Sequence, residues 1–287
     1  MPRRSFPASL SDLFTLAAVL ALAGSAILAG AQSVGPTRPA PGTGINTAAP
    51  PLPVEEIIRQ FAAKEKEFKL ARENYTYTQT VRVQEYDDSG LAGGEFQRIS
   101  EIVFTPEGRR FERITREPPT TLHMVSLSFE DIKDLENIQP FVLTTDELPK
   151  YNLEYVGREH VDEISTYVFR VAPRRMEKGQ RYFEGTIWVD DRDLQIVKSY
   201  GKAVPDFRRG EQENLFPRFE TYRENIDGKY WFPTYTHADD LLQFSHRAVR
   251  IRMVVRYNNY KQFKVTSKIV GAEPVKPEEK KAPQPPQ

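Results

Sequence analysis

The sequence predicts an α+β fold: one amphipathic helix followed by a large, strongly curved antiparallel β-sheet. Three observations predict it. Residues 54–74 carry apolar side chains at helical spacing. From Tyr75 the apolar period switches to two and recurs in short segments as far as Val270. Turn chemistry separates those segments, as at Asp87-Asp88-Ser89-Gly90 and Asp227-Gly228.

The elements justify themselves in order. Arg3-Arg4 precede an Ala- and Leu-rich run, Leu13 to Leu28, that ends in Ala29-Gly30-Ala31. A basic flank, an apolar centre and a small-residue exit read as an export signal, residues 1–31, cleaved near Ala31. The alternative is a retained anchor in the inner membrane, because the run approaches spanning length. Residues 32–53 are rich in Pro, Gly, Thr and Ala, without periodicity, and read as a flexible spacer.

The helix follows Pro53, with Glu55 and Glu56 in its first turn. Val54, Ile57, Ile58, Phe61, Ala62 and Phe68 fall near one face. Glu55, Glu56, Lys64, Glu65, Lys66, Glu67 and Lys69 fill much of the rest. Mixed charges favour docking on a sheet over lying on a membrane.

Strands then follow. Tyr75, Tyr77, Gln79, Val81 and Val83 alternate with Thr and Arg, and the Asp87–Gly90 turn leads into Arg98–Thr105. Pro106-Glu107-Gly108 turns the chain into Arg109–Arg116, which Pro118-Pro119 ends. Residues 120–150 break the pattern, with a helix expected at Phe129–Asn137 and an apolar patch at Phe141-Val142-Leu143. An insertion of this kind can lie across an open sheet as a helical lid. Strands resume at Leu153–Arg158, Thr166–Ala172, Phe183–Asp190, Leu194–Tyr200, Arg218–Asn225, Tyr230–Thr236, Ala248–Tyr257 and Phe263–Val270. Ten or eleven strands in one meander require strong curvature. The domain is read as 54–271, and the Pro-, Lys- and Glu-rich residues 272–287 as a disordered tail.

Composition excludes several chemistries. There are 40 basic and 40 acidic residues, and the export segment removes two Arg and one Asp, leaving 38 against 39. That balance gives no electrostatic footprint for nucleic acid. With no Cys, disulfides, thiolate metal sites and a thiol nucleophile are all ruled out. His123, His160, His237 and His246 are the four histidines. Their spacing dictates no metal site, and no cofactor motif is present. The carboxylates of Asp190, Asp191 and Asp193 sit where two strands reverse, which is turn chemistry before it is acid–base chemistry. Arg247, Arg250, Arg252 and Arg256 make a basic stripe: the solvated face of a strand, or a contact for anions such as lipid head groups. The chain is read as non-enzymatic.

Aromatic content carries the functional hint, with 17 Phe and 13 Tyr. They fill a core or line a hollow under the sheet. Gly185-Thr186-Ile187-Trp188-Val189-Asp190, then Leu194-Gln195-Ile196-Val197-Lys198, Phe216-Pro217-Arg218-Phe219-Glu220 and Asp227-Gly228-Lys229-Tyr230-Trp231-Phe232-Pro233 resemble the LolA/LolB-like outer-membrane lipoprotein-sorting proteins. The resemblance covers the C-terminal half best, while residues 75–170 match in pattern only. It implies an unclosed half β-barrel wrapped around helices, and periplasmic binding and transport of lipids or lipoprotein acyl chains. Phe61, Tyr167, Phe169, Val171, Ile187, Val189, Val249, Ile251 and Met253 are the candidate lining of the apolar hollow. The implied partner is a lipid or acylated lipoprotein, with transient membrane contact. A non-catalytic sensor or partner-binding module of the cell envelope is the alternative.

Overall fold

Residues 44–263, except 88, 106, 210 and 211, are described by the computed structural model. The export segment, the tail and residues 264–270 of the last expected strand lie outside the described residues. Helix α1 (Val54–Arg72) comes first, then strands β1 (Tyr75–Tyr86), β2 (Ala92–Phe104) and β3 (Arg110–Arg116). Helix α2 (Phe129–Asn137) and a single 3-10 turn (Leu148–Lys150) follow. Strands β4 (Tyr151–Val161), β5 (Ile164–Pro173), β6 (Tyr182–Asp190) and β7 (Ile196–Val204) come next. A small ribbon, β8 (Phe207–Arg209) and β9 (Gln212–Asn214), precedes β10 (Phe219–Asn225), β11 (Trp231–Gln243) and β12 (Ala248–Gln262).

Ten strands form one antiparallel sheet in the order β3-β2-β1-β12-β11-β10-β7-β6-β5-β4. The edges β3 and β4 do not pair, so the sheet is an unclosed half-barrel. Its order is not the simple meander that the spacing of strands predicts. The first and last strands meet in the middle, with Val81 opposite Val255 and Val83 opposite Met253. The chain must therefore travel from one edge of the sheet to the other between β3 and β4. Residues 117–150 make that crossing, and they bury Leu135, Ile138, Phe141 and Leu143 in the main core. A crossing of this length can only be made over a sheet face, and the apolar side chains at those four positions make it the concave one.

The core lies between that face, α1 and the crossing segment. Phe61 of α1 packs on Phe169 of β5 with ring centroids 5.5 Å apart. Phe141 stacks on Phe183 at 4.3 Å. Helix α1 buries Ile57, Phe61, Ala62 and Phe68, as its periodicity predicts, but it also buries Glu65. The expectation that Glu65 belongs to the solvated face is corrected: the stripe runs at intervals of three and four, and Glu65 stands on it. On the convex face Val168, Trp188 and Val197 form a smaller cluster that Ile45 helps to cover. Asn46, within the proline-rich spacer, exchanges two 2.8 Å backbone hydrogen bonds with Arg158 of β4.

Where the crossing starts, it runs against β2. Thr121 N donates to Glu95 O at 3.0 Å. A Cβ at Gly94 would stand 1.9 Å from the carbonyl oxygen of Thr121. The oxygen is backbone and a Cβ is fixed by its own backbone, so neither can swing away. Gly94→Ala is expected to destabilise the protein by about 1–3 kcal/mol, as overpacked sites do. A urea midpoint equal to wild type would show that β2 and the crossing segment do not approach this closely.

Candidate functional site

The crossing segment leaves a cavity of about 460 Å³ near the end of the half-barrel where β11 turns into β12. Volumes of this order suit small molecules. The floor is Val83 of β1 with Ile251 and Met253 of β12. Met124, Val125, Leu127 and Leu135 form the roof, and Leu215, Phe216, Pro217, Leu242 and Phe244 the far wall. Seven polar residues complete the lining: Ser126, His246 and Arg247 are exposed, Ser128, Glu213 and Asn214 are half-buried, and Asp131 is buried. The lining is thus a largely apolar trough, and its roof is a connection, not sheet.

Several polar contacts hold the roof. The first is Glu85 of β1, whose carboxylate is fully buried. Period two carries this strand's inward stripe from Val83 to Glu85, so the side chain points under the roof. It accepts from the backbone amides of Gly94 (3.0 Å), His123 (2.8 Å), Met124 (2.9 Å) and Val125 (3.1 Å). Burial works against its charge, and the four amides outweigh burial and hold the carboxyl below its ordinary value. A carboxylate thereby supplies the acceptors that this irregular segment lacks.

The second contact fixes α2. Ser128 caps it: the hydroxyl accepts from Asp131 N at 3.2 Å, and Asp131 Oδ2 accepts from Ser128 N at 2.7 Å. Asn214 Nδ2 also donates to the Ser128 hydroxyl, at 2.7 Å, tying the cap to β9. One turn on, buried Asp134 takes Arg181 Nε at 3.0 and 3.2 Å. Burial pushes both Asp131 and Asp134 up, with Arg181 pulling the other way. The third contact is Thr221 of β10, donating to Gln139 O at 3.0 Å. The fourth is Arg223 of β10, which donates to Phe141 O. Arg223 also holds Glu65 of α1 at 3.0 and 3.2 Å, and Glu65 accepts from Ile196 N at 3.0 Å. Helix, sheet and roof therefore share one buried ion pair.

Glu85 has a pH consequence with a definite sign. A carboxyl whose folded pKa is depressed stabilises the fold above its unfolded value, about 4.3, and that contribution disappears as pH falls through the folded value. Glu85→Gln is expected to cost about 1.5–3 kcal/mol at pH 7, the worth of charge-assisted hydrogen bonds. The gap between the melting temperatures of wild type and variant should be present at neutral pH, where the His123 ring also stands 2.8 Å from the carboxylate, and should close in acid below the ordinary glutamate range. A gap independent of pH would show that the charge is not what holds the roof.

All nine candidate lining residues face the core side and are buried. Ile251 and Met253 line the cavity, whereas Phe61, Tyr167, Phe169, Val171, Ile187, Val189 and Val249 are in the packed core outside its lining. The remaining motifs lie apart from the cavity, save at the rim. Asp190 Oδ1 accepts from the amides of Arg192 (2.7 Å) and Asp193 (3.2 Å), and Asp191 pairs with Arg158. His237 stands 3.5 Å from Glu220 on the convex face, while His246 is at the cavity rim, so the two are not brought together. Of the basic stripe, Arg250 and Arg252 share Asp239 at 2.7 and 3.1 Å, and Arg256 lies over Tyr235. Arg247 alone reaches the rim, donating to Met124 O.

No family model matches this chain, and no curated protein does. Several solved structures are similar to it. A LolA-superfamily protein from Nitrosomonas europaea is 13% identical over 76% of this chain and 97% of its own, with a TM-score of 0.35. A DUF1329 family protein from Desulfovibrio piger is 14% identical over 77% and 95%, with a TM-score of 0.34. A domain named for outer-membrane lipoprotein sorting, from Vibrio parahaemolyticus, is 10% identical over 73% and 95%, also at 0.34. Likeness at this level says nothing about ligands.

Proposed function

We propose that this protein binds the acyl chains of lipids or lipoproteins in its apolar cavity and carries them through the periplasm without catalysing a reaction. The observation that supports this reading is the cavity itself: a largely apolar trough of about 460 Å³, with exposed polar residues at Ser126, His246 and Arg247 and a roof held by a few side chains. Each methylene that leaves water for such a trough contributes about 0.8 kcal/mol, so a chain of ordinary length supplies its own affinity. The Ala- and Leu-rich run that ends at Ala31 supports the periplasmic location. Loading and release require the roof to move, and it is attached by side chains, not by strand pairing.

The experiment is native mass spectrometry of the mature protein purified gently from periplasm, followed by lipid extraction. A discrete acyl-bearing mass that co-purifies is the expected result. A bare protein that stays bare when offered phospholipid and acylated peptide would overturn the carrier reading. A second reading, a partner-binding module of the same fold, draws on edge strand β3. There Phe111 and Ile114 are exposed beside a strand edge that no strand among the described residues pairs with. A stoichiometric envelope protein captured by wild type, and lost with Phe111→Ser/Ile114→Ser, would favour it.

A further inference from the structure

We propose that the cavity holds amphiphiles with an anionic head group, carboxylate or phosphate, and that Arg247 with its neighbour His246 receives that head. This inference rests on the acyl-binding reading above and adds the chemistry of the ligand's polar end.

The argument starts from charge pairing. Arg250 and Arg252 spend their charge on Asp239 of the neighbouring strand. Arg247 occupies the turn before β12, at the cavity rim, and among the described residues its side chain makes one hydrogen bond, to the carbonyl of Met124. A carbonyl satisfies a single N–H and neutralises no charge. The guanidinium keeps further donors in a planar fork whose geometry matches a carboxylate or phosphate. His246 adjoins it, exposed at the same rim.

The acidic groups of the lining are engaged elsewhere. Glu213 accepts from Ser245 N at 2.6 Å and from the Ser245 hydroxyl at 3.0 Å. Asp131 is turned into its own helix cap, accepting from Ser128 N. The Met124 carbonyl that Arg247 holds belongs to the roof strand of chain whose amides Glu85 clamps. Arg247 therefore stands between the solvent side of the rim and the roof, where the head of a chain laid in the trough emerges.

The test uses the full mature chain and four probes of equal chain length, below their micellar concentrations: dodecanoate, dodecyl phosphate, monododecanoylglycerol and dodecanol. Calorimetry reads the affinity of each. Wild type is expected to bind dodecanoate, dodecyl phosphate or both at least ~10-fold more tightly than the neutral probes, the worth of one charge-assisted contact. Whichever anion is preferred identifies the head as carboxylate or phosphate. Arg247→Gln should remove that preference while leaving the neutral probes within about twofold, and Arg247→Lys should restore part of it. Arg250→Gln, on a residue already paired, should leave it intact. Equal affinity for charged and neutral probes in wild type overturns the head-group assignment and leaves the apolar cavity standing. Preference that survives in Arg247→Gln also overturns it. Failure of all four probes to bind overturns the acyl-binding reading and this proposal with it.

Discussion

Arg223→Ala and Glu65→Ala are each expected to destabilise the protein by about 3–5 kcal/mol, a large fraction of the stability of a typical domain. The pair is fully enclosed: the Arg223 side chain is 2% exposed and that of Glu65 is 0%. Burial pushes the Glu65 carboxyl up and the Arg223 guanidinium down, so desolvation opposes both charges, and each persists because the other is present. Removing one leaves the other as an uncompensated buried ion. It also strands neutral partners: without Arg223 the Phe141 carbonyl loses a donor, and without Glu65 the Ile196 amide loses an acceptor. Replacing both, as in Glu65→Leu with Arg223→Met, should recover much of the loss, because buried pairs often contribute little net stability against apolar residues of similar volume. Urea unfolding of the two singles and the double closes this cycle. Limited proteolysis supplies a second readout, with faster cleavage around residues 138–145 expected in Arg223→Ala, where the roof loses its anchor. Single variants within about 1 kcal/mol of wild type would mean that the pair is hydrated.

Much of this architecture is legible in the residues. Helix α2 begins and ends where its sequence predicts, because Ser128 and Asp131 make a capping box ahead of a short amphipathic segment. The strand segments are recognisable by period two and by their turns. Strand order is not, because nothing in Tyr75–Tyr86 announces that its partner is Ala248–Gln262 at the other end of the domain. That pairing depends on closing the whole chain, a non-local event without a local signature.

The polar groups that hold the roof were missed for a different reason. Glu65, Glu85 and Arg223 each sit on an apolar stripe, at positions that helix or strand periodicity assigns to the inside. Residue type argued for solvent and periodicity argued for burial, and periodicity won because each charge meets a partner there. A charged residue in phase with a buried stripe is the signal that would have found them. The cavity itself had no such signal. Seven of the nine candidate residues are core outside its lining, since alternation identifies the inward face and says nothing about where that face is left uncovered.

That distinction decides how acyl binding must be tested. Phe169→Glu would place a carboxylate at a fully buried site without a partner, so it is expected to unfold the protein, and its loss of binding would carry no information. Ile251→Trp and Leu242→Trp act in the opposite way. They stand on two walls of the cavity, and the added ring enters space that is already empty. Cavity filling commonly leaves stability unchanged or raises it. An indole that displaces roughly four methylenes of a bound chain removes about 3 kcal/mol of affinity, on the order of a hundredfold. Both variants should therefore melt at or above the wild-type temperature while capture of a dodecyl chain falls by that factor. Because the walls belong to different strands, agreement between the variants argues from the cavity and not from either residue. Folded variants that still bind as wild type does would place the acyl chain elsewhere on the molecule.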